Sequence, residues 1–122
     1  MKISHTLRKV FWGLLVLVVV VLSLLPIPQD QTFIQIPFAD KVVHFLTYFI
    51  LTIIALISST QKHSLLMILA IQILIGVCVE VAQSFIPGRT PEFLDVLANS
   101  LGVLFGALVY FPFWKIKSKT QN

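Results

Sequence analysis

One cysteine, Cys78, is all the sequence has, and it lies inside an apolar run. It permits no intramolecular disulfide and fits no metal-ligand spacing, so a buried structural thiol is expected. Charge is equally scarce: 11% of the 122 residues are charged against 57% hydrophobic. With a mean hydropathy of +0.96, the chain lies far outside the range of soluble globular domains. The apolar segments lack the strict alternation of polar and apolar residues that a transmembrane β-barrel requires. No internal repeat or low-complexity tract is present. The formal charge of +4 does not point to nucleic acid, because the basic residues form no single amphipathic face.

What is present is a set of apolar runs, each near the roughly 20 residues that a helix needs to cross about 30 Å of hydrocarbon. They predict an all-α membrane protein, a single domain over residues 1–122, with four transmembrane helices over about 10–25, 40–58, 64–86 and 91–111. The basic residues mark the ends of these runs. Lys2, Arg8 and Lys9 precede the first, Lys62 separates the second from the third, and Lys115, Lys117 and Lys119 follow the fourth. Under the positive-inside tendency both termini and the connection through Thr60 and His63 are cytoplasmic. The first run resembles a signal peptide in its basic approach, but small residues are missing at the cleavage positions and Pro26 and Pro28 follow it. It therefore reads as an uncleaved helix stopped by prolines. Residues 29–39 read as an outer surface loop, with Phe33, Ile34, Ile36 and Phe38 as possible lipid or protein contacts.

The second helix is expected to start at Asp40 as N-cap. Pro87 and Gly88 should end the third. The fourth has Thr90 as N-cap, Pro91 at the first helical position and Glu92 facing the positive end of the helix dipole, and should stop before Pro112.

Residues 80–102 are the most polar stretch, set between strongly apolar runs. Helical spacing gathers its side chains into stripes. Lys41, His44, Tyr48 and Thr52 share one face of the second helix; Gln72, Gly76, Glu80 and Gln83 share one face of the third. On the fourth, Asp95 and Asn99 lead into Gly102 and Gly106, a Gly-x-x-x-Gly surface suited to close helix packing. Counted inward at about 1.5 Å per residue, His44 and Asp95 are roughly 6 Å deep, Glu80 about 10 Å, and Tyr48 and Asn99 about 12 Å. Intramembrane charge is costly, about 2.5–3.5 kcal/mol at a helix centre, so polar groups at one level should face one another. The expectation is an outward-facing polar pocket.

The sequence Asp40-Lys41-Val42-Val43-His44-Phe45 with Tyr48, then Glu80 and Gln83, Pro87-Gly88-Arg89, and Asp95, Asn99 and Gly102 in that order resembles the VanZ-like family. The resemblance covers about residues 40–106. It implies a small integral protein of the bacterial plasma membrane, multi-pass, whose named member is linked to low-level resistance to the glycopeptide teicoplanin. It carries over no catalytic residue.

Several roles are open to the pocket residues. Lys41 and Arg89 can attract an anion, since guanidinium binds phosphate or carboxylate through paired hydrogen bonds. His44 and Glu80 are the candidates for proton transfer, and the rest of the lining would be Tyr48, Gln83, Asp95 and Asn99. The bland alternatives are hydrogen-bonded packing for His44, a structural ion pair for Glu80, a headgroup contact for Arg89 and helix-to-helix bonding for Asp95 and Asn99. No His-x-x-x-His pair accompanies these residues, so no metal or other cofactor is expected. Ser84 and Ser100 lack a nucleophile elbow. Three functions follow: binding of a lipid-linked phosphate or sugar, or another envelope molecule, with an effect on glycopeptide sensitivity; hydrolysis or transfer at the outer leaflet using His44 and Glu80; or a structural role, including a homo-oligomer built on Gly102 and Gly106.

Overall fold

A computed structural model describes residues 4–26, 37–59 and 65–120, apart from the side chains of 117, 118 and 120. Four helices account for most of them: α1 (His5–Leu24), α2 (Ala39–Ser58), α3 (Leu65–Gln83) and α4 (Phe93–Thr120). No strand occurs among the described residues. Each helix is long and apolar enough to cross a membrane. Of the expected surface loop, residues 29–36 lie outside the described residues, as does the Thr60 to His63 connection; Phe38 is described and exposed.

Side-chain bonds fix the order of the bundle. Ser58 Oγ at the end of α2 donates to the Arg8 carbonyl at the start of α1. Gln83 at the end of α3 reaches Ser23 at the end of α1. Lys41 near the start of α2 pairs with Asp95 near the start of α4. Thus α1 and α3 run one way and α2 and α4 the other, which brings both described termini to the same end.

Helix α2 touches the other three. Against α4 it packs at backbone distance, because a Cβ on Gly102 would collide with the carbonyl oxygen of Phe45, and one on Gly106 would stand 2.8 Å from that of Phe49. Small residues at such a crossing let van der Waals contact replace the hydrophobic drive that lipid cannot supply. An apolar core of Ala55, Leu56, Ile68 and Ala107 fills the end that holds the termini, with Trp12, Tyr110 and Trp114 against it. Helix α1 contributes no buried residue, and large apolar side chains on all four helices stay exposed, as a lipid-facing surface requires.

Several boundaries depart from the sequence reading. Helix α1 starts five residues early, capped by Ser4, whose hydroxyl accepts from the Leu7 amide at 3.2 Å. Asp40 is not the N-cap of α2. Phe38 takes that position in a left-handed conformation with φ 62°, and Asp40 falls in the first turn. Helix α3 ends at Gln83, its last turn tightened by bonds from Phe85 and Ile86 back to Ala82 and Gln83. Pro87 and Gly88 then form the expected turn: Arg89 N–H bonds to the Ile86 carbonyl at 3.1 Å and Gly88 takes φ 83°, the positive value of a type II turn.

Thr90 and Pro91 stay outside α4, which begins at Phe93 and passes through Pro112 to Thr120. Proline only deprives the Leu108 carbonyl of its helical partner, and the segment beyond is held because Trp114 packs on the apolar core. Cys78 is exposed rather than buried. It lies away from the buried stripe of Gln72, Gly76, Glu80 and Gln83, on a face whose apolar character suits lipid as well as protein.

Candidate functional site

At the end opposite the apolar core, the polar stripes of α2, α3 and α4 converge. Lys41 is their outer member. Its Nζ stands 2.6 Å from Asp40 Oδ2, 2.6 Å from Glu92 Oε2 and 2.7 Å from Asp95 Oδ1. Three carboxylates around one ammonium leave this corner acidic and leave Lys41 little charge to offer a further anion. Asp40 is its chain neighbour; Glu92 and Asp95 are brought by the first turn of α4, which lies beside the start of α2.

One helical turn inward, His44 links all three helices. Its Nδ1 is 3.0 Å from Asn99 Oδ1 on α4 and 3.6 Å from Glu80 Oε1 on α3, and its Nε2 is 3.9 Å from Asp95 Oδ2. Because the Asn99 atom is a carbonyl oxygen, Nδ1 donates, and the neutral ring carries its lone pair on Nε2. Glu80 is 4% exposed, yet neither carboxylate oxygen has a hydrogen-bond donor among the described residues. Tyr48 is buried below, its hydroxyl also without a partner. Gly76 makes the layering possible: a Cβ there would stand 3.3 Å from both the Tyr48 ring and Asn99 Cβ.

Gln83 and Arg89 take another direction. Gln83 Nε2 donates to the Ser23 carbonyl at 2.9 Å, and Arg89 donates through Nε and Nη2 to the Leu25 carbonyl, both at 3.2 Å. The last carbonyls of a helix lack intrahelical partners, and these donors satisfy two of them at the end of α1. They also meet His44 and Tyr48 around a cavity of about 270 Å³, completed by Val19, Leu22, Ser23, Val43, Thr47 and Val79. The lining is mixed, polar and aliphatic. A somewhat larger cavity, about 310 Å³, lies at the opposite end between Trp12, Ile68 and Ile71, with Lys9 its one charged residue. Of the expected lining residues, His44, Tyr48, Gln83 and Arg89 line the smaller one, and Lys41, Glu80, Asp95 and Asn99 stand behind them.

The eight expected lining residues therefore divide into an ionic set (Lys41, His44, Glu80, Asp95), with Asn99 and Tyr48 packed beneath it, and a pair that fastens α1. Three contributors escaped the sequence reading in these roles. Thr47 follows His44 by three positions and could have been found by that spacing; Asp40 and Glu92 looked like helix-start residues and gave no sign of a shared lysine. Ser84, just past α3, donates to the Val81 carbonyl, and Ser100 within α4 to that of Val96.

A family model described as VanZ/LLP1 matches residues 9–115 of the chain. An uncharacterized protein of Schizosaccharomyces pombe is 32% identical over 83 residues, which cover 66% of this chain and 51% of that protein. The chain thus spans about half the length of this relative. No solved structure matches it.

Proposed function

The chain belongs to the VanZ/LLP1 family, and from that premise we propose that this multi-pass membrane protein binds a lipid-linked or other envelope amphiphile in the cavity between α1, α2 and α3. The observation that carries the reading is the lining of that cavity. His44, Thr47, Gln83 and Arg89 bring polar groups to it, and Val19, Leu22, Val43 and Val79 bring aliphatic surface. Such a lining suits a molecule with a polar head and a hydrocarbon tail, and Arg89 favours a phosphate or other anionic head. On this reading the chain acts as one domain in a bacterial plasma membrane, the cavity faces outward, and occupancy alters the response of the envelope to teicoplanin. The 3.6 Å approach of His44 to Glu80 supports a second reading, in which the pair acts as base and acid on the bound molecule.

The test is mass spectrometry of lipids retained by the protein in polymer nanodiscs. A lipid-linked species enriched over the bulk membrane, and lost in Val43→Trp, which fills the cavity from an exposed position, is expected. Retained lipid of bulk composition in both proteins sinks the binding reading. A covalently changed lipid present only in cells making the protein selects the catalytic one.

A further inference from the structure

His44, Glu80 and Asp95 come from three different helices, yet each offers one ligand atom within 4.8 Å of the other two. We propose that these three side chains bind one divalent transition-metal ion of the kind that accepts mixed nitrogen and oxygen ligands, such as zinc. The inference rests on their geometry alone and stands whether or not the neighbouring cavity takes an amphiphile.

Four observations carry it. First, His44 is set as metal-binding histidines usually are. Its Nδ1 donates to Asn99 Oδ1 at 3.0 Å, which fixes the ring and leaves the Nε2 lone pair free. Second, Nε2 stands 3.9 Å from Asp95 Oδ2. Two ligands each about 2.1 Å from a tetrahedral ion are separated by about 3.4 Å, so this pair need close by only about 0.5 Å to share one.

Third, Glu80 is only 4% exposed and both its oxygens are unpartnered among the described residues; Oε1 stands 3.6 Å from Nδ1, on the Asn99 side of the ring, and the carboxylate joins His44 and Asp95 through the 4.8 Å grouping. A carboxylate withdrawn from water without a donor is strongly disfavoured. A dication with one neutral imidazole and two carboxylates makes a set of zero net charge, which removes that cost. Fourth, the nearby cation does not fill the place. Lys41 holds Asp95 through Oδ1 and leaves Oδ2 turned to His44. The ammonium occupies the other grouping of acids, Asp40, Glu92 and Asp95, within 2.7 Å of each. Arg89 is engaged by the Leu25 carbonyl.

Three protein ligands leave a position open on a tetrahedral ion. His44 also lines the cavity, so water or an anionic head there can take that position.

The experiment uses the whole chain, purified in detergent and stripped with chelator, and titrated with Co2+ followed by its visible absorption and by competition with Zn2+. One saturable ion per chain is expected. Glu80→Gln and His44→Ala should each weaken binding by more than about 100-fold, and Asn99→Ala by about 10-fold, the range of a partner that only orients a ligand. Glu92→Gln should leave affinity unchanged. Failure of the wild-type chain to bind overturns the proposal, as does binding that Glu92→Gln abolishes and Glu80→Gln spares. Should the site variants fail to fold, pulsed electron paramagnetic resonance of Cu2+ on the His5→Gln, His63→Gln protein decides. Modulation from one imidazole assigns His44, and its absence refutes the site.

Discussion

His44 and Asn99, 55 positions apart in the chain, share a hydrogen bond of 3.0 Å from Nδ1 to Oδ1 that ties α2 to α4. The bond lies just inside the Lys41 ion cluster and beside the buried Glu80 carboxylate. Replacing Asn99 by Ala leaves a half-buried ring donor unpaired, which costs about 1 kcal/mol, the low end for a lost partner. Thermal unfolding in detergent, followed by tryptophan fluorescence, should show the loss. An unchanged midpoint would mean that water serves His44 as well as Asn99 does.

Two glycines separate packing from propensity. Gly102→Ala drives a methyl group into the Phe45 carbonyl, so α2 and α4 must move apart at a cost of about 1–3 kcal/mol. Gly13 has no atom within 4 Å of its would-be Cβ, and Gly13→Ala should stabilise α1 by up to about 1 kcal/mol through helix propensity. Denaturant titration of both variants should therefore give shifts of opposite sign.

Lys41 pairs with three acids through a side chain that is only 15% exposed. Lys41→Met leaves Glu92 and Asp95 facing each other without a cation, and a broken buried pair destabilises by about 3–5 kcal/mol. The additional change Asp95→Asn should recover part of that loss. A double-mutant cycle in denaturant measures the recovery, and simple additivity would argue against coupling between these two residues.

Since α1 buries none of its residues, its attachment relies heavily on the donors at its ends. Gln83→Leu removes the bond to Ser23. Amide exchange should rise in the last turn of α1, and hardly at all in α2 and α4. Uniform acceleration across the protein would show instead that Gln83 supports the whole bundle.

The resemblance to the VanZ-like family was carried by residues 40–106, and the stripe of Asp95, Asn99, Gly102 and Gly106 was legible because a helix repeats its faces every three to four positions. The same periodicity placed Lys41, His44 and Tyr48 on one face. It could not say that Lys41 would face Asp40, Glu92 and Asp95, since each helix has several neighbours and a stripe names none of them. Nor could it separate Gln83 and Arg89 from the ionic set. They lie near Glu80 in sequence, but their donors reach the unsatisfied carbonyls of α1.

By itself, the sequence determined four apolar helices, the turn of Pro87 and Gly88, and the clustering of polar residues toward one end. Hydropathy, proline chemistry and helical period are local properties, and local properties can be read along a chain. Only the tertiary structure decided that Glu80 is buried without a hydrogen-bond donor among the described residues, that His44 stands between Asp95 and Asn99, and that α4 persists through Pro112. Each of these depends on which helix lies beside which, and that is set by close contacts such as Gly102 on Phe45 and Trp114 on the apolar core.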